Sequence, residues 1–581
     1  MPKHILFSLA LCVAQATAQT AFPSLNSSPW LGQELLGRVS ASSATVNIVF
    51  DAGAQVYVEY GTTSGTYPER SSTQTAAAGV PLNITLTGLT ANTRYYYRLQ
   101  YSLSGAFTAR PERSFMTQRT RGSTFSFAIQ ADPHMDNNSS ADVYQLTLAN
   151  ELADRPDFMI DLGDVMMSDK LNASGVPVNG GSSPNSAGVL SRTQLMRSYY
   201  DIATHSIPLY QALGNHEGEW GSNLNGTPNN VAIWDTQHRT NYFPNPTPDS
   251  FFSGDTQSYD LNGAACTPSS SVTCGLGQRR AYYSWEWGDA LFVVLDPYWS
   301  QTANATTPGG GKDCCQRNAG YWSLTLGQAQ YDWLKQTLER STAKYKFVFS
   351  HNLVGGVNPS ANGVDQGPMR GGVEAAKYLE WGGYNLDGSY GFSTYRPNLV
   401  MPIHQLLVAN KVTAFFHGHD HLYAHQSLDG IAYQAVPQPS ATNANLGTRA
   451  TDYGYTQGTM LGGRGYLRVQ VAPTGVSVQY VETWLPAEQR ANQTNRMVAD
   501  SYTLTAAATE PPVITSVNTA ANGTAVIAAN TWVEIKGTNL AAATRTWQNS
   551  DFSGTQMPTQ LDSVRVTING QSAYVYYISP T

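Results

Sequence analysis

The stretch Phe125-Ser-Phe-Ala-Ile-Gln-Ala131, running directly into Asp132-Pro-His134, decides the fold class of this chain. An apolar run of this length reads as a buried strand, and the polar residues that end it sit at the strand's carboxyl end. The same grammar recurs downstream. Phe158-Met-Ile-Asp-Leu162 runs into Gly163-Asp164, and Pro208-Leu-Tyr-Gln-Ala-Leu213 into Gly214-Asn215-His216-Glu217. Lys346-Phe-Val-Phe-Ser350 runs into His351, and Val412-Thr-Ala-Phe-Phe416 precedes Gly418-His419-Asp420-His421. Helical spacing falls between them, at Asp142 to Leu152, Leu190 to Thr204, Gly327 to Arg340 and Gln405 to Ala409. Strands alternating with helices predict a layered α/β domain, whose ligand sites lie beyond the carboxyl ends of the strands. Long Gly/Ser/Pro/Asn insertions at 174–189, 221–229, 244–275 and 301–320 interrupt it. Tyr298, Trp299, Trp322, Tyr384 and Tyr390 either line the entrance to a site or pack these loops.

Five of the 11 histidines lie in these strand-end clusters. Asp132, His134, Asp164, Asn215, His351, His419 and His421 together form an oxygen/nitrogen donor set. Such a set suits two divalent or mixed-valence first-row metal ions sharing a carboxylate. One Asp-x-His or one Gly-Asp carries little information. All five clusters in this order are hard to explain as satisfied core or surface polar groups.

These ordered motifs resemble the calcineurin-like metallophosphoesterase superfamily over about 124–485. The resemblance implies a four-layer α/β/β/α sandwich around a dinuclear centre of Mn, Zn or Fe. By that resemblance Asp132, His134, Asp164 and His421 hold one ion, and Asp164, Asn215, His351 and His419 the other, with Asp164 bridging. His216 matches the histidine that contacts the phosphoryl or leaving group, Glu217 supports the ligands, and Asp420 has no clear role. The implied chemistry is hydrolysis of a phosphate ester, a small molecule or nucleotide, by metal-bound hydroxide. The leading expectation is a phosphomonoesterase. A phosphodiesterase with the same centre is the alternative, and an inactive surface-binding protein is the reading from another class.

Residues 19–121 alternate at period two, as in Ala44 to Phe50 and Gln55 to Tyr60, which predicts a β-sandwich. Gly88-Leu-Thr-Ala-Asn-Thr-Arg-Tyr-Tyr-Tyr-Arg98 resembles the fibronectin III-like module that precedes the catalytic domain of purple acid phosphatases. The metal motifs depart from those enzymes: His134 stands where they have glycine, and Met167 where they have the iron-binding tyrosine. Residues 486–512 read as a polar linker. Residues 513–581 are β again, and Val564 to Pro580 resembles TIG or immunoglobulin-like domains; this last module, which could offer cell-surface contact, stops directly after a strand, as if incomplete.

Lys3 and His4, the apolar run Ile5 to Val13 and Ala16-Thr17-Ala18 read as a secretory signal over 1–18, so the expected location is extracellular or periplasmic. Beyond Cys12, the cysteines are Cys266, Cys274, Cys314 and Cys315, which permit three pairings, Cys266 with Cys274 foremost. A zinc knuckle is the other reading. The chain of 581 residues carries only 13% charged residues and a net charge of -7. With no Lys/Arg run, nucleic acid is a poor default partner, and no later apolar run is long enough to span a membrane.

Overall fold

The computed structural model describes residues 28–269, 272–301, 321–354, 370–506, 512–541, 544–548, 551–552, 554–561 and 564–580. The signal at 1–18, Cys314 and Cys315, and part of the expected linker lie outside them.

Two sheets make the centre of the chain. In the first, β1 (Phe125–Gln130) lies parallel to β2 (Phe158–Asp161), and β2 parallel to β3 (Leu209–Gln211). In the second, β4 (Tyr283–Trp287) is antiparallel to β5 (Ala290–Val294), which is parallel to β6 (Tyr345–Phe349). That strand is in turn parallel to β7 (Ala414–His417). Behind β7 come β8 (Tyr423–Leu428) and β9 (Ile431–Ala435), with β9 inserted between β7 and β8. The first sheet is completed by β10 (Gly465–Ala472), which pairs with β1, then β11 (Gly475–Glu482) and β12 (Val498–Leu504). Residues 498–504, inside the polar segment expected to be a linker, thus form an edge strand. Their alternation is half-exposed and polar, so sequence period alone does not separate them from a linker.

The alternation of side chains along the strands explains the layering. Phe125, Phe127 and Ile129 point to one face of β1 and pack with Phe158, Phe292, Phe347 and Phe349 between the sheets. The rings of Phe127 and Phe292 meet edge-on at 5.1 Å, as do Phe158 and Phe292. Ala128 and Met159 face the other way, onto helices α1 (Ala141–Asp154) and α2 (Ser186–Tyr200). In the second sheet Leu291, Val293 and Leu295 face helix α4 (Gly327–Arg340), which follows α3 (Val231–Tyr242). Each sheet is therefore apolar on both faces, as strands buried on both sides require. Helices α1, α2 and α3 start at side-chain caps: Ser140 accepts from Val143 N, Asn185 from Gly188 N and Asn230 from Ile233 N.

The result is an α/β sandwich of the metallophosphoesterase type with further β-rich regions at both ends. Residues 35–116 form two antiparallel sheets whose inward residues, such as Val46, Ile48, Val56, Ile84 and Leu99, are fully buried. They dock on α2 and the turns after it: the Arg197 guanidinium donates to Asn47 O at 2.8 Å and Gln33 O at 2.9 Å, and Tyr97 Oη to His205 O at 2.6 Å. Near the other end, Val513–Thr519 pairs with Val533–Thr538. The insertion 244–275 carries part of a small three-stranded sheet, of which Ser258–Tyr259 is the middle strand, and the Cys266–Cys274 disulfide, with Cα atoms 5.7 Å apart. No helix among the described residues is long and apolar enough to cross a membrane.

Because Phe292 sits where both sheets meet, its truncation should be costly. Phe292→Ala is expected to destabilise the chain by about 3–5 kcal/mol, read by denaturant unfolding; a loss under about 1 kcal/mol would show that the two sheets do not share one packed interface.

Candidate metal centre

The carboxyl ends of β1, β2, β3, β6 and β7 meet at one rim, and all seven expected donor residues arrive there. Asp132 Oδ1 lies 3.6 Å from His134 Nε2 and 3.3 Å from His421 Nε2. Asp164 Oδ2 lies 3.2 Å from His351 Nε2 and 3.3 Å from His134 Nε2. His351 Nε2 is 3.1 Å from His419 Nδ1 and 3.0 Å from Asn215 Oδ1. Two clusters result, Asp132–His134–His421 and Asp164–His351–His419, each with its donor atoms within 4.8 Å of one another.

The orientation of each donor is set from behind. Asp132 Oδ2 accepts from His419 N at 2.8 Å, and Asp164 Oδ1 from His216 N at 2.7 Å, which leaves the other oxygen of each turned inward. His351 Nδ1 donates to Leu162 O at 2.8 Å, so Nε2 is the atom left to ligate a metal once its proton is displaced. Asp132 Oδ1 and His134 Nε2 are buried with no hydrogen-bond partner among the described residues. Buried polar atoms are normally satisfied, and inward-facing carboxylate oxygen and imidazole nitrogen atoms are the donors divalent first-row ions take. The residues present therefore fit a pair of divalent ions.

The loops that bring them together are backbone-strained. Asp132, His134, Asp164, His419 and His421 all have φ between 50° and 71°, in the left-handed region that costs side-chain-bearing residues energy. Three arginines steady this backbone. Arg192 donates to His134 O and, at 3.0 Å, to Met166 O; Arg370 donates to His419 O; and Arg449 donates to His421 O at 2.9 Å. Glu217 ties two loops together, accepting from Gly214 N at 2.5 Å, Val165 N at 2.6 Å, and Asp164 N and Met166 N at 3.0 Å. Here glycine is required: a Cβ on Gly163 would fall 2.2 Å from Gly214 N, and one on Gly214 2.2 Å from Asp164 N.

His216 stands beside the clusters, its Nε2 4.0 Å from Asp164 Oδ2. Its Nδ1 is paired to Asp169 Oδ1 at 2.9 Å. Asp169 carries no signal in the sequence, because only the short turn Ser168–Lys170 folds it back under His216. Asp136, 3.5 Å from His134 Nδ1, and the three arginines are likewise visible only in three dimensions. Met167, at the position of the missing tyrosine, is buried among Leu171 and Val189 rather than aimed at the donors. Of the aromatic residues expected at an entrance or in loops, most pack loops. Trp299 lies under the Arg279 guanidinium, Trp322 stacks on Tyr395, and Tyr384 meets Tyr390. Tyr298 is buried, its hydroxyl 2.5 Å from Asn352 Oδ1, next to His351.

The charges are strongly coupled. Burial opposes ionisation of Asp132, yet His421 and His351 outweigh it and hold the carboxyl far below its usual range. Burial likewise opposes a charge on His351, but Asp164 and Asp132 lift its pKa to about 9. His421 goes the other way, to about 4, chiefly because it is desolvated.

A model of PhoD-like phosphatases matches residues 267–454. No curated protein matches the chain. Among solved structures, a PhoD structure is superimposable with a TM-score of 0.54 at 14% identity, covering 84% of this chain and 94% of that one. A purple acid phosphatase from seeds of yellow lupin (Lupinus luteus) aligns with a TM-score of 0.49 at 14% identity, over 81% of this chain and 73% of that one. The chain has the hallmarks of a metallophosphoesterase. Its two His/Asp clusters can chelate a pair of divalent ions.

Metal binding must displace protons. With a pKa of about 9 against the ordinary 6.5, His351 is charged at pH 7 in the metal-free protein. Ion binding at pH 7 should release at least one proton, and affinity should rise as pH climbs toward 9. The same shift stabilises the metal-free fold below pH 6.5, and that contribution should fade as pH rises through about 9. Calorimetry of Mn²⁺ or Zn²⁺ into the metal-free protein, in buffers of different ionisation enthalpy, reads the first effect. Thermal unfolding against pH reads the second. Proton-neutral binding at pH 7 would contradict the charge assigned to His351.

Proposed function

We propose that the chain is a secreted, dinuclear-metal phosphoric ester hydrolase that favours monoesters. In this reading Asp132, His134, Asp164 and His421 hold one ion, and Asp164, Asn215, His351 and His419 the other. The carrying observation is Asp164 Oδ2, which lies 3.2–3.3 Å from a ring nitrogen of each cluster and is placed to serve both. Bound in this way, two ions supply Lewis acidity for phosphoryl oxygens and lower the pKa of an attacking water.

The protein's own part is orientation and proton transfer. Asp169 accepts from Nδ1 of His216 and so turns Nε2 toward the rim where the clusters open. From there it stabilises the developing charge or protonates the leaving oxygen. Glu217 and the buried carboxylate contacts keep both loops in register while charge moves. Residues 19–121 act as a fibronectin III-like module and 513–581 as an immunoglobulin-like one. The signal-like segment over 1–18 and the Cys266–Cys274 bridge support export to an oxidising compartment. The match to PhoD-like phosphatases and the bridging position of Asp164 support hydrolysis of phosphate esters.

His216→Ala should lower kcat on an aryl phosphate by about 10²–10⁴-fold while metal content stays at two ions per chain. Asp169→Asn should lower kcat less than His216→Ala does, with two ions still bound per chain. Asp164→Asn should weaken both ion sites together in metal analysis. Full metal loading with no turnover of aryl phosphate monoester or bis-aryl diester in the unaltered chain would sink the hydrolase reading; faster turnover of the diester would replace phosphatase with phosphodiesterase.

A further inference from the structure

Asp420, between the two histidines of Gly418-His419-Asp420-His421, touches neither metal cluster. Its carboxylate instead gathers three donors from elsewhere in the chain. Gly371 N donates to Oδ2 at 2.9 Å, the Tyr455 hydroxyl donates to Oδ2 at 2.6 Å, and Arg370 Nη1 reaches Oδ1 at 3.3 Å. The same Nη1 donates to His419 O. The guanidinium lies over the ring of Tyr453, 4.5 Å from its centroid. Arg370 is thus fixed on three sides: a carboxylate, a carbonyl and an aromatic face.

What is left of it faces outward. Nε and Nη2 of Arg370 have no hydrogen-bond partner among the described residues, and neither is a buried orphan. The Arg370 side chain keeps 23% exposure. Most donors of the metal clusters are sealed, but the His421 side chain is 24% exposed and His216 10%. The centre therefore opens on the His421 side, where Arg370 stands, close enough for its charge to act on Asp132 and His421. Arg192 offers no such face, being fully buried behind His134.

We propose that Arg370 is a substrate-binding residue whose free guanidinium edge takes the phosphoryl oxygens of a dianionic phosphate monoester, with Asp420 and Tyr453 as its positioning residues. This inference rests on the hydrolase reading and adds selectivity to it. A planar fork with two free donors matches two phosphoryl oxygens and is pre-organised by its three anchors. A monoester presents three non-bridging oxygens and about two charges to that fork. A diester presents two such oxygens and one charge, so it gains less.

The experiment uses the full-length, metal-loaded chain. Orthophosphate binding is measured by calorimetry, and KM and kcat are measured for an aryl phosphate and a bis-aryl phosphate. Arg370→Gln should weaken orthophosphate binding and raise the monoester KM by about 10–100-fold, the loss expected for one charge-assisted contact, and change the diester KM less. Arg370→Lys, which restores the charge without the fork, should recover only part of that loss. Asp420→Asn should shift monoester KM in the same direction while two ions remain bound. Unchanged orthophosphate affinity and monoester KM in Arg370→Gln, with two ions retained, would overturn the proposal, as would an equal loss for both esters. Should Arg370→Gln lose its metals, the Lys variant carries the test: full wild-type affinity there overturns the fork. Orthophosphate binding keeps the two readings apart, because an inactive but metal-loaded chain refutes hydrolysis while still reporting on Arg370; no orthophosphate binding by the unaltered chain overturns the arginine site itself.

Discussion

Four backbone N–H groups from two separate loops converge on the one carboxylate of Glu217. The rest of the centre depends on that convergence. Asp164 follows β2 and Asn215 and His216 follow β3, and their loops approach so closely that neither Gly163 nor Gly214 has room for a side chain. A buried carboxylate is costly unless its oxygens are fully hydrogen-bonded. Here the cost is offset by donors that would otherwise be unsatisfied themselves, since tight loops at a sheet rim have no ladder partners. The exchange leaves Asp164 Oδ2 aimed between the two clusters.

A second constraint follows from the first. Donors placed this densely force the backbone of Asp132, His134, Asp164, His419 and His421 into left-handed conformations. Such strain persists only where the surroundings over-determine it. The arginine contacts to His134 O, His419 O and His421 O do part of this, and they put positive charge beside a centre rich in carboxylates. Arg192 is entirely buried with carbonyl partners, and desolvation lowers its pKa to about 10, still high enough to keep it charged near neutrality. In the metal-free protein the same carboxylates hold protons on His134 and His351, so ions and protons compete for one set of atoms.

Much of this was legible beforehand because the donors end strands. Apolar runs such as Phe125 to Ala131 and Val412 to Phe416 can be recognised by composition, and the residues after them are then placed at a sheet's carboxyl rim. The helix over Gly327–Arg340 was legible for the same reason, its apolar residues recurring at helical spacing. The edge strand Val498–Leu504 was not, because an exposed strand against β11 needs no apolar face. Asp169, Asp136 and Arg370 were equally hidden: each owes its place to a turn or a long-range approach, not to a repeating pattern. The aromatic residues near the insertions could not be sorted between entrance and packing until their ring partners were known.

By itself the sequence determined the alternation of the central strands with helices and placed the seven Asp, Asn and His candidates at strand ends. Those follow from local patterns, since burial and hydrogen-bonding needs are written into runs of a few residues. Only the tertiary structure decided which oxygen of each aspartate turns inward, that Asp169 pairs with His216, and that Asp420 serves Arg370 rather than a metal ion. These are matters of a few ångströms between segments tens to hundreds of residues apart, and distance through space is what a linear pattern does not encode.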